Sequence, residues 1–158
     1  MTTIYFSGSI SGGREDVETY RQFVAALERA GHRVLAGMVT ATHVSAEGEA
    51  LPACDIFDRD VAWIEEAARK GGALVAEVSR PSTGVGYEIA MARYHFGMPV
   101  ICLYRPAFTR RCSGMIAGDR AIRLIEYTDE TIDDATKKLL ELLANNQHAP
   151  AVKRACLP

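Results

Sequence analysis

The sequence predicts a three-layer α/β fold around a parallel sheet, and three observations lead there. Short β-prone runs alternate along the chain with helical patterns. Two of those runs, Ala73-Leu74-Val75-Ala76-Glu77-Val78 and Pro99-Val100-Ile101-Cys102-Leu103-Tyr104, are apolar almost throughout, as strands covered on both faces are. Glycine-bearing turns separate the elements, and 158 residues suffice for one domain with a sizeable core.

The elements follow in order. Ile4-Tyr5-Phe6 is a β-prone run ending in Ser7-Gly8-Ser9, and Ser11-Gly12-Gly13 makes a polar turn. Val17, Tyr20, Val24 and Leu27 then recur at spacings of three and four, which predicts a helix that Gly31 ends. A second strand is expected over 32–35, followed by an irregular stretch. A long helix is expected over 52–69, closed by Gly71-Gly72, and the buried strand 73–78 comes next. The turn 79–84 leads into a helix over 85–96, then the strand 99–104. After a basic loop come a strand over 122–127 and a helix over 131–144. Five strands suggest the flavodoxin-like (Rossmann-like) order 2-1-3-4-5, in one domain spanning 1–145 with a flexible tail over 146–158. In such sheets ligands bind beyond the carboxyl ends of the strands, where the strand order reverses. That places the loops after Phe6 and Val78 at one mouth.

Composition narrows the function. A net charge of -2 supplies no electrostatic reason to bind polymeric nucleic acid or an anionic membrane. Cys54, Cys102, Cys112 and Cys156 form no C-x-x-C pair, and His32, His43, His95 and His148 are scattered, so no metal site is expected. The opening MTTIYFSGSI lacks the pattern of a signal peptide, and no run is long enough to span a bilayer. The expectation is a cytoplasmic protein with reduced thiols, a nuclear location remaining open.

Two carboxylates interrupt apolar helix faces. Asp60 lies in the stripe of Ala53, Ile56, Phe57, Trp63, Ile64 and Ala67, whereas Asp55, Asp58, Glu65 and Glu66 mostly fall elsewhere. Such a group must be paired, protonated or turned to a cavity. Glu88 lies beside Val85, Ile89, Ala92 and Phe96, in what the expected boundary makes the first turn of its helix, where the dipole favours the ionised form. Each can be a packing partner of an arginine or a capping group. Two of them near one mouth also suit glycoside cleavage, in which one carboxylate attacks the anomeric carbon and a second group assists the leaving group.

Gly8-Ser9-Ile10-Ser11-Gly12-Gly13-Arg14 follows a strand and opens a helix, the context of an anion site, although a tight turn without a ligand has the same pattern. It is neither a P-loop nor a full dinucleotide fingerprint. Ser82-Thr83-Gly84-Val85-Gly86 is a second such turn, and two of them suit a monophosphate. By default Tyr5 is a core residue, Arg105, Arg110 and Arg111 form a solvated loop, and Trp63 packs or lines a base pocket. Met115 and Ile116 pack or cover a ligand.

The ordered set Tyr5-Phe6-x-Gly8-Ser9-Ile10-x-Gly12-Gly13-Arg14-Glu15-Asp16, Asp60-x-x-Trp63, Ala76-Glu77-Val78 and Pro81-Ser82-x-Gly84-Val85-Gly86-Tyr87-Glu88 resembles the 2'-deoxynucleoside 5'-phosphate N-hydrolases of the nucleoside 2-deoxyribosyltransferase superfamily. Cys102-Leu103-Tyr104-Arg105-Pro106 and Ser113-x-Met115-Ile116-x-Gly118 extend the likeness, which covers about residues 4–127. The resemblance implies Glu88 as nucleophile, Asp60 as assisting carboxylate and Tyr5 beside the reacting centre. It implies that Gly8, Ser9, Ile10, Ser11, Gly12, Arg14, Ser82, Gly84, Gly86, Ser113 and Met115 hold the substrate. Ser113 would reach the 5'-phosphate from the other subunit of a homodimer, and no cofactor would be needed. Three departures stand out: Ser11 where an arginine is frequent, Met38 where a histidine can occur, and a longer 68–72 stretch without an aspartate common there. The leading expectation is hydrolysis of a 2'-deoxynucleoside 5'-monophosphate to base and 2-deoxyribose 5-phosphate. The alternatives are a deoxyribosyltransferase and a non-catalytic nucleotide-binding module.

Overall fold

A computed structural model describes residues 1–10, 15–41, 48–106 and 109–146. Five strands, β1 (Thr3–Ser7), β2 (Arg33–Leu35), β3 (Ala73–Glu77), β4 (Val100–Tyr104) and β5 (Ile122–Glu126), form one sheet in the order β2-β1-β3-β4-β5. Every pairing is parallel. This is the expected topology, and it puts the order reversal between β1 and β3, where Ser7 pairs with Ala76 at the carboxyl ends.

Helices α1 (Val17–Arg29) and α5 (Ile132–Asn146) belong to one face; α2 (Ala53–Arg69) and α3 (Thr83–Ala90) belong to the other. The strand period of two divides the side chains between two cores. Ile4, Phe6, Val75 and Ile101 join Phe23, Leu27 and Leu139 on the first face. Tyr5, Leu74, Ala76 and Cys102 join Ile64, Ala67, Val85 and Ile89 on the second. Both faces are covered, which explains why β1, β3 and β4 are buried at every position.

The boundaries differ from expectation in places that have local causes. β4 begins at Val100, because Pro99 has no N–H to give the ladder. α3 starts two residues earlier than expected because the Ser82 side chain caps it, accepting from the Val85 amide at 3.4 Å. It then passes into a π-helical turn over Met91–His95. A 3-10 turn, Gly37–Thr40, occupies the stretch read as irregular. The loop after β4 contains a short helix, α4 (Gly114–Ala117), that the sequence pattern did not reveal. Among the described residues no helix is long and apolar enough to cross a membrane.

Candidate active site

The site grows out of β1. Alternation turns Tyr5 and Ser7 to the same face, toward α3. There the Tyr5 hydroxyl donates to Glu88 Oε1 at 3.0 Å, and the Ser7 hydroxyl donates to Glu88 Oε2. Tyr5 is therefore buried as its strand position predicts, yet its polar end is spent on the carboxylate. Burial pushes the Tyr5 phenol well above its ordinary range, and Glu88 and Asp60 add to that rise, so Tyr5 is a donor and not an anion.

The capping by Ser82 corrects the position expected for Glu88. With helix residues counted from Thr83, Glu88 falls in the second turn, beyond the strongest field of the terminal amides. Its ionisation is set by its surroundings instead. Burial raises the carboxyl from 4.5 to about 7 against the hydrogen bonds from Ser7 and Tyr5, which favour the anion. The Asp60 charge pushes it further up, and Arg59 pulls it down. Near neutral pH the group is poised between acid and carboxylate, which suits a nucleophile that must also leave.

Asp60 faces inward from α2, with its side chain 20% exposed, although the stripe is narrower than expected: Ala53 and Phe57 in the first turns are exposed. It is paired with its own neighbour: Arg59 Nε donates to Asp60 Oδ1 at 2.9 Å. The rest of the Arg59 guanidinium grips Glu49, with Nη2 to Oε1 at 2.7 Å and Nη1 to Oε2 at 2.5 Å. Its plane lies over the Trp63 ring, 5.0 Å from the centroid. Trp63 packs closely on the turn after β2, where a Cβ at Gly37 would come within 2.6 Å of the indole. Burial raises the Asp60 carboxyl, opposed by the hydrogen bond and charge of Arg59.

The expected phosphate side is only partly described. Ser11, Gly12 and Arg14 lie outside the described residues, as does His43. Gly8 and Ser9 are buried at the end of β1, and Ile10 packs partly against the α1 core. Gly8 is tightly packed, since a Cβ would meet Val39 at 3.0 Å and the Tyr20 ring at 3.1 Å and those side chains would have to give way. Ser82, Gly84 and Gly86 belong to the capped first turns of α3, whose early amides have no intrahelical acceptor. Ser82, Gly86, Ser113, Met115 and Arg80 line one cavity of about 590 Å³ between α3 and α4. Tyr5, Asp60 and Glu88 do not line it. Within one chain Tyr5, Asp60 and Glu88 form a carboxylate cluster, Ser82, Gly86, Ser113 and Met115 line a separate cavity, and Gly8, Ser9, Ile10 and Gly84 belong to neither.

Arg105 departs from its reading as a solvated loop residue. Its side chain is 13% exposed and bridges Asp16 and Asp129. Arg80 donates to Asp16 at 2.6 Å and pairs with Glu15 at 3.0 Å. These arginines tie the residues just after the first glycine turn to the loops after β3 and β4. Three participants escaped the sequence reading. The Tyr5-x-Ser7 alternation could have exposed Ser7, and adjacency to Asp60 could have exposed Arg59. Glu49 carries no local signal, because only folding brings it to Arg59. Among the described residues no group of three or more His, Cys, Asp and Glu side chains could hold a metal ion.

The profile of the nucleoside 2-deoxyribosyltransferase family matches residues 4–118. A 5-hydroxymethyl-dUMP N-hydrolase of Mus musculus is 37% identical over 144 residues, covering 88% of this chain and 80% of the relative. Its counterpart from Danio rerio is 36% identical over 147 residues, covering 90% and 99%. A solved CMP N-glycosidase from Clostridium botulinum has the same fold, with a TM-score of 0.60 at 15% identity over 90% of this chain and all of that one. The profile match spans β1 through α4, from the strand bearing Tyr5 to the cavity rim bearing Ser113, and the chain belongs to the nucleoside 2-deoxyribosyltransferase family.

Proposed function

We propose that this chain hydrolyses the N-glycosidic bond of 2'-deoxynucleoside 5'-monophosphates through a covalent Glu88–sugar intermediate. The observation that carries the reading is Glu88 itself: a half-buried carboxylate held by two hydroxyl donors, beside a second carboxylate, at the mouth of the sheet. The relatives named as 5-hydroxymethyl-dUMP N-hydrolases supply the substrate class.

The hydrogen bonds from Tyr5 and Ser7 orient the Glu88 carboxylate for attack. A Glu88 oxygen forms a bond to C1' of the sugar as the C1'–N bond breaks, and the bond's electron pair leaves with the base. Asp60 assists on the leaving side, by proton transfer or by holding sugar and base. Water then attacks C1', releases 2-deoxyribose 5-phosphate and returns Glu88 as a carboxylate. A sugar without a 2'-hydroxyl lacks that electron-withdrawing group, so its oxocarbenium-like transition state is easier to reach. This sequence of steps calls for no metal or organic cofactor.

The phosphate is assigned to the first glycine turn, with Gly8, Ser9, Ile10, Ser11, Gly12 and Arg14, and to Ser82, Gly84 and Gly86. Ser113 and Met115 complete it from the second subunit of a homodimer. The face around the α3–α4 cavity supports this. Tyr94 and Met115, which line it, are exposed by 62 and 86%. Gly86 is exposed on α3, and no atom would lie within 4 Å of a Cβ there. Glycine within a helix costs about 1 kcal/mol relative to alanine, and the chain's own packing gives no reason for it. A substrate or a second copy approaching Gly86 does. The whole is read as one cytoplasmic domain over 1–145.

The test is to incubate the purified protein with 5-hydroxymethyl-dUMP, dGMP, GMP and deoxyguanosine, with and without adenine as acceptor. Free base from the deoxynucleotides alone, without transfer, supports the hydrolase. Deoxyadenosine appearing from deoxyguanosine would make the chain a transferase. Binding without release from any of them would favour the nucleotide-binding module.

A further inference from the structure

We propose that the Glu49–Arg59 ion pair sets the charge of the catalytic mouth, with Arg59 a positioning residue that holds Asp60 as an ionised hydrogen-bond acceptor and Glu49 limiting that hold. The inference rests on the proposed reaction for its catalytic meaning, but the electrostatics stand without it.

Each of the three guanidinium nitrogens of Arg59 is engaged by a carboxylate. Nε is committed to Asp60, both terminal nitrogens to Glu49, and the guanidinium face to Trp63. Its side chain is 21% exposed, and that of Glu49 only 6%. A bidentate pair so sheltered is weakly screened and fixed in direction. One edge of the guanidinium is thereby pinned by Glu49, and the Nε–H is aimed at Asp60.

Among the described residues, the groups acting on Asp60 come from four places. Glu88 faces it from α3, Tyr5 from β1, Arg59 from α2 itself and Glu49 from the segment before α2. Glu88 and Asp60 disfavour each other's ionisation, as two carboxylates at one mouth must. Arg59 is the cation that favours both anions. Glu49 works against it on Asp60, because its own charge partly cancels the guanidinium. The consequence is a division of labour. Asp60 keeps an oxygen that accepts a hydrogen bond from an N–H or O–H of the substrate, while the more buried Glu88 titrates nearer neutrality.

Opposite substitutions must then move the pair in opposite directions. Glu49→Gln removes the opposing charge, so Asp60 and Glu88 ionise at lower pH. Arg59→Gln removes the cation, so both ionise at higher pH, each shift being about half a unit to one unit. Arg59→Lys keeps the charge but not the aimed Nε. Its titration stays close to that of the wild type while kcat falls at the pH plateau with little change in KM.

The carboxyl titrations are read by carbon NMR on the ligand-free protein labelled at aspartate and glutamate side chains, and the rate profile by base release from 5-hydroxymethyl-dUMP. If the wild type releases no base, the proposed reaction fails, and the NMR titrations still decide the charge-setting role. A Glu49→Gln titration that is unchanged or moves upward would overturn the inference. If Arg59→Gln does not fold, Glu49→Gln and Arg59→Lys carry the test.

Discussion

The sheet carries two Glu–Tyr–Ser clusters on opposite faces, and they behave differently. On the α1–α5 face, Glu77 is 1% exposed and accepts from the Ser79 hydroxyl, the Ser79 amide at 3.3 Å and the Tyr127 hydroxyl at 2.9 Å. On the α2–α3 face, Glu88 accepts from Tyr5 and Ser7 and faces the charge of Asp60 at an open mouth. Both carboxyls are raised by burial. Glu77 is closed in and feels the charge of Asp16, on which Arg80 and Arg105 converge. The same three side-chain types hold loops together where access is closed, and offer chemistry where a second carboxylate and an opening are added.

The hardest break of that comparison is Glu88→Ala. It should lower base release by more than about 10³-fold while deoxynucleotide binding, read by calorimetry, persists. A variant with wild-type turnover would remove Glu88 from the mechanism.

Next come the paired tyrosines. Tyr5→Phe removes a donor from Glu88 and should lower kcat by about 10- to 100-fold with a small change in unfolding free energy. Tyr127→Phe leaves buried Glu77 short of a donor and should cost about 1–3 kcal/mol in urea unfolding, with kcat retained. The reverse pattern would mean that the two faces have been assigned the wrong way round.

The pH dependence sharpens the contrast further. Glu88 holds its proton more tightly folded than unfolded, so between pH 4.5 and about 7 the folded state binds more protons. Stability therefore falls as pH rises through that window, by at most on the order of 3 kcal/mol. Activity that needs the carboxylate should rise over the upper part of the same window. Glu88→Gln has no such proton to lose. Its melting temperature should match the wild type near pH 4.5 and exceed it increasingly toward pH 8.

The smallest expected effect is at Gly86. In the isolated chain Gly86→Ala should stabilise α3 by about 0.5–1 kcal/mol. If a second copy or the substrate approaches there, the same change weakens self-association on a sizing column or raises KM. Stabilisation with both unchanged would leave the α3–α4 face without a partner.

Much of this was legible along the chain. The period of two in β1 and the near-continuous apolar runs of β3 and β4 specify a sheet buried on both faces, and with alternating helices that leaves few topologies. Asp60 and Glu88 announced themselves because carboxylates break an otherwise apolar stripe, a local signal that burial energetics makes readable. What the sequence could not decide depends on distance in space. Ser82 as cap moved the start of α3 and put Glu88 into the second turn, so burial and neighbours, rather than the helix dipole, govern its proton. Glu49 meets Arg59 only once α2 has docked, and Arg105 turned from a solvated residue into a bridge because β4 delivers it beside Asp16. Patterning is a one-dimensional property and determined the fold and the odd carboxylates; charge pairing falls steeply with separation, and only the tertiary structure determined who stands next to whom.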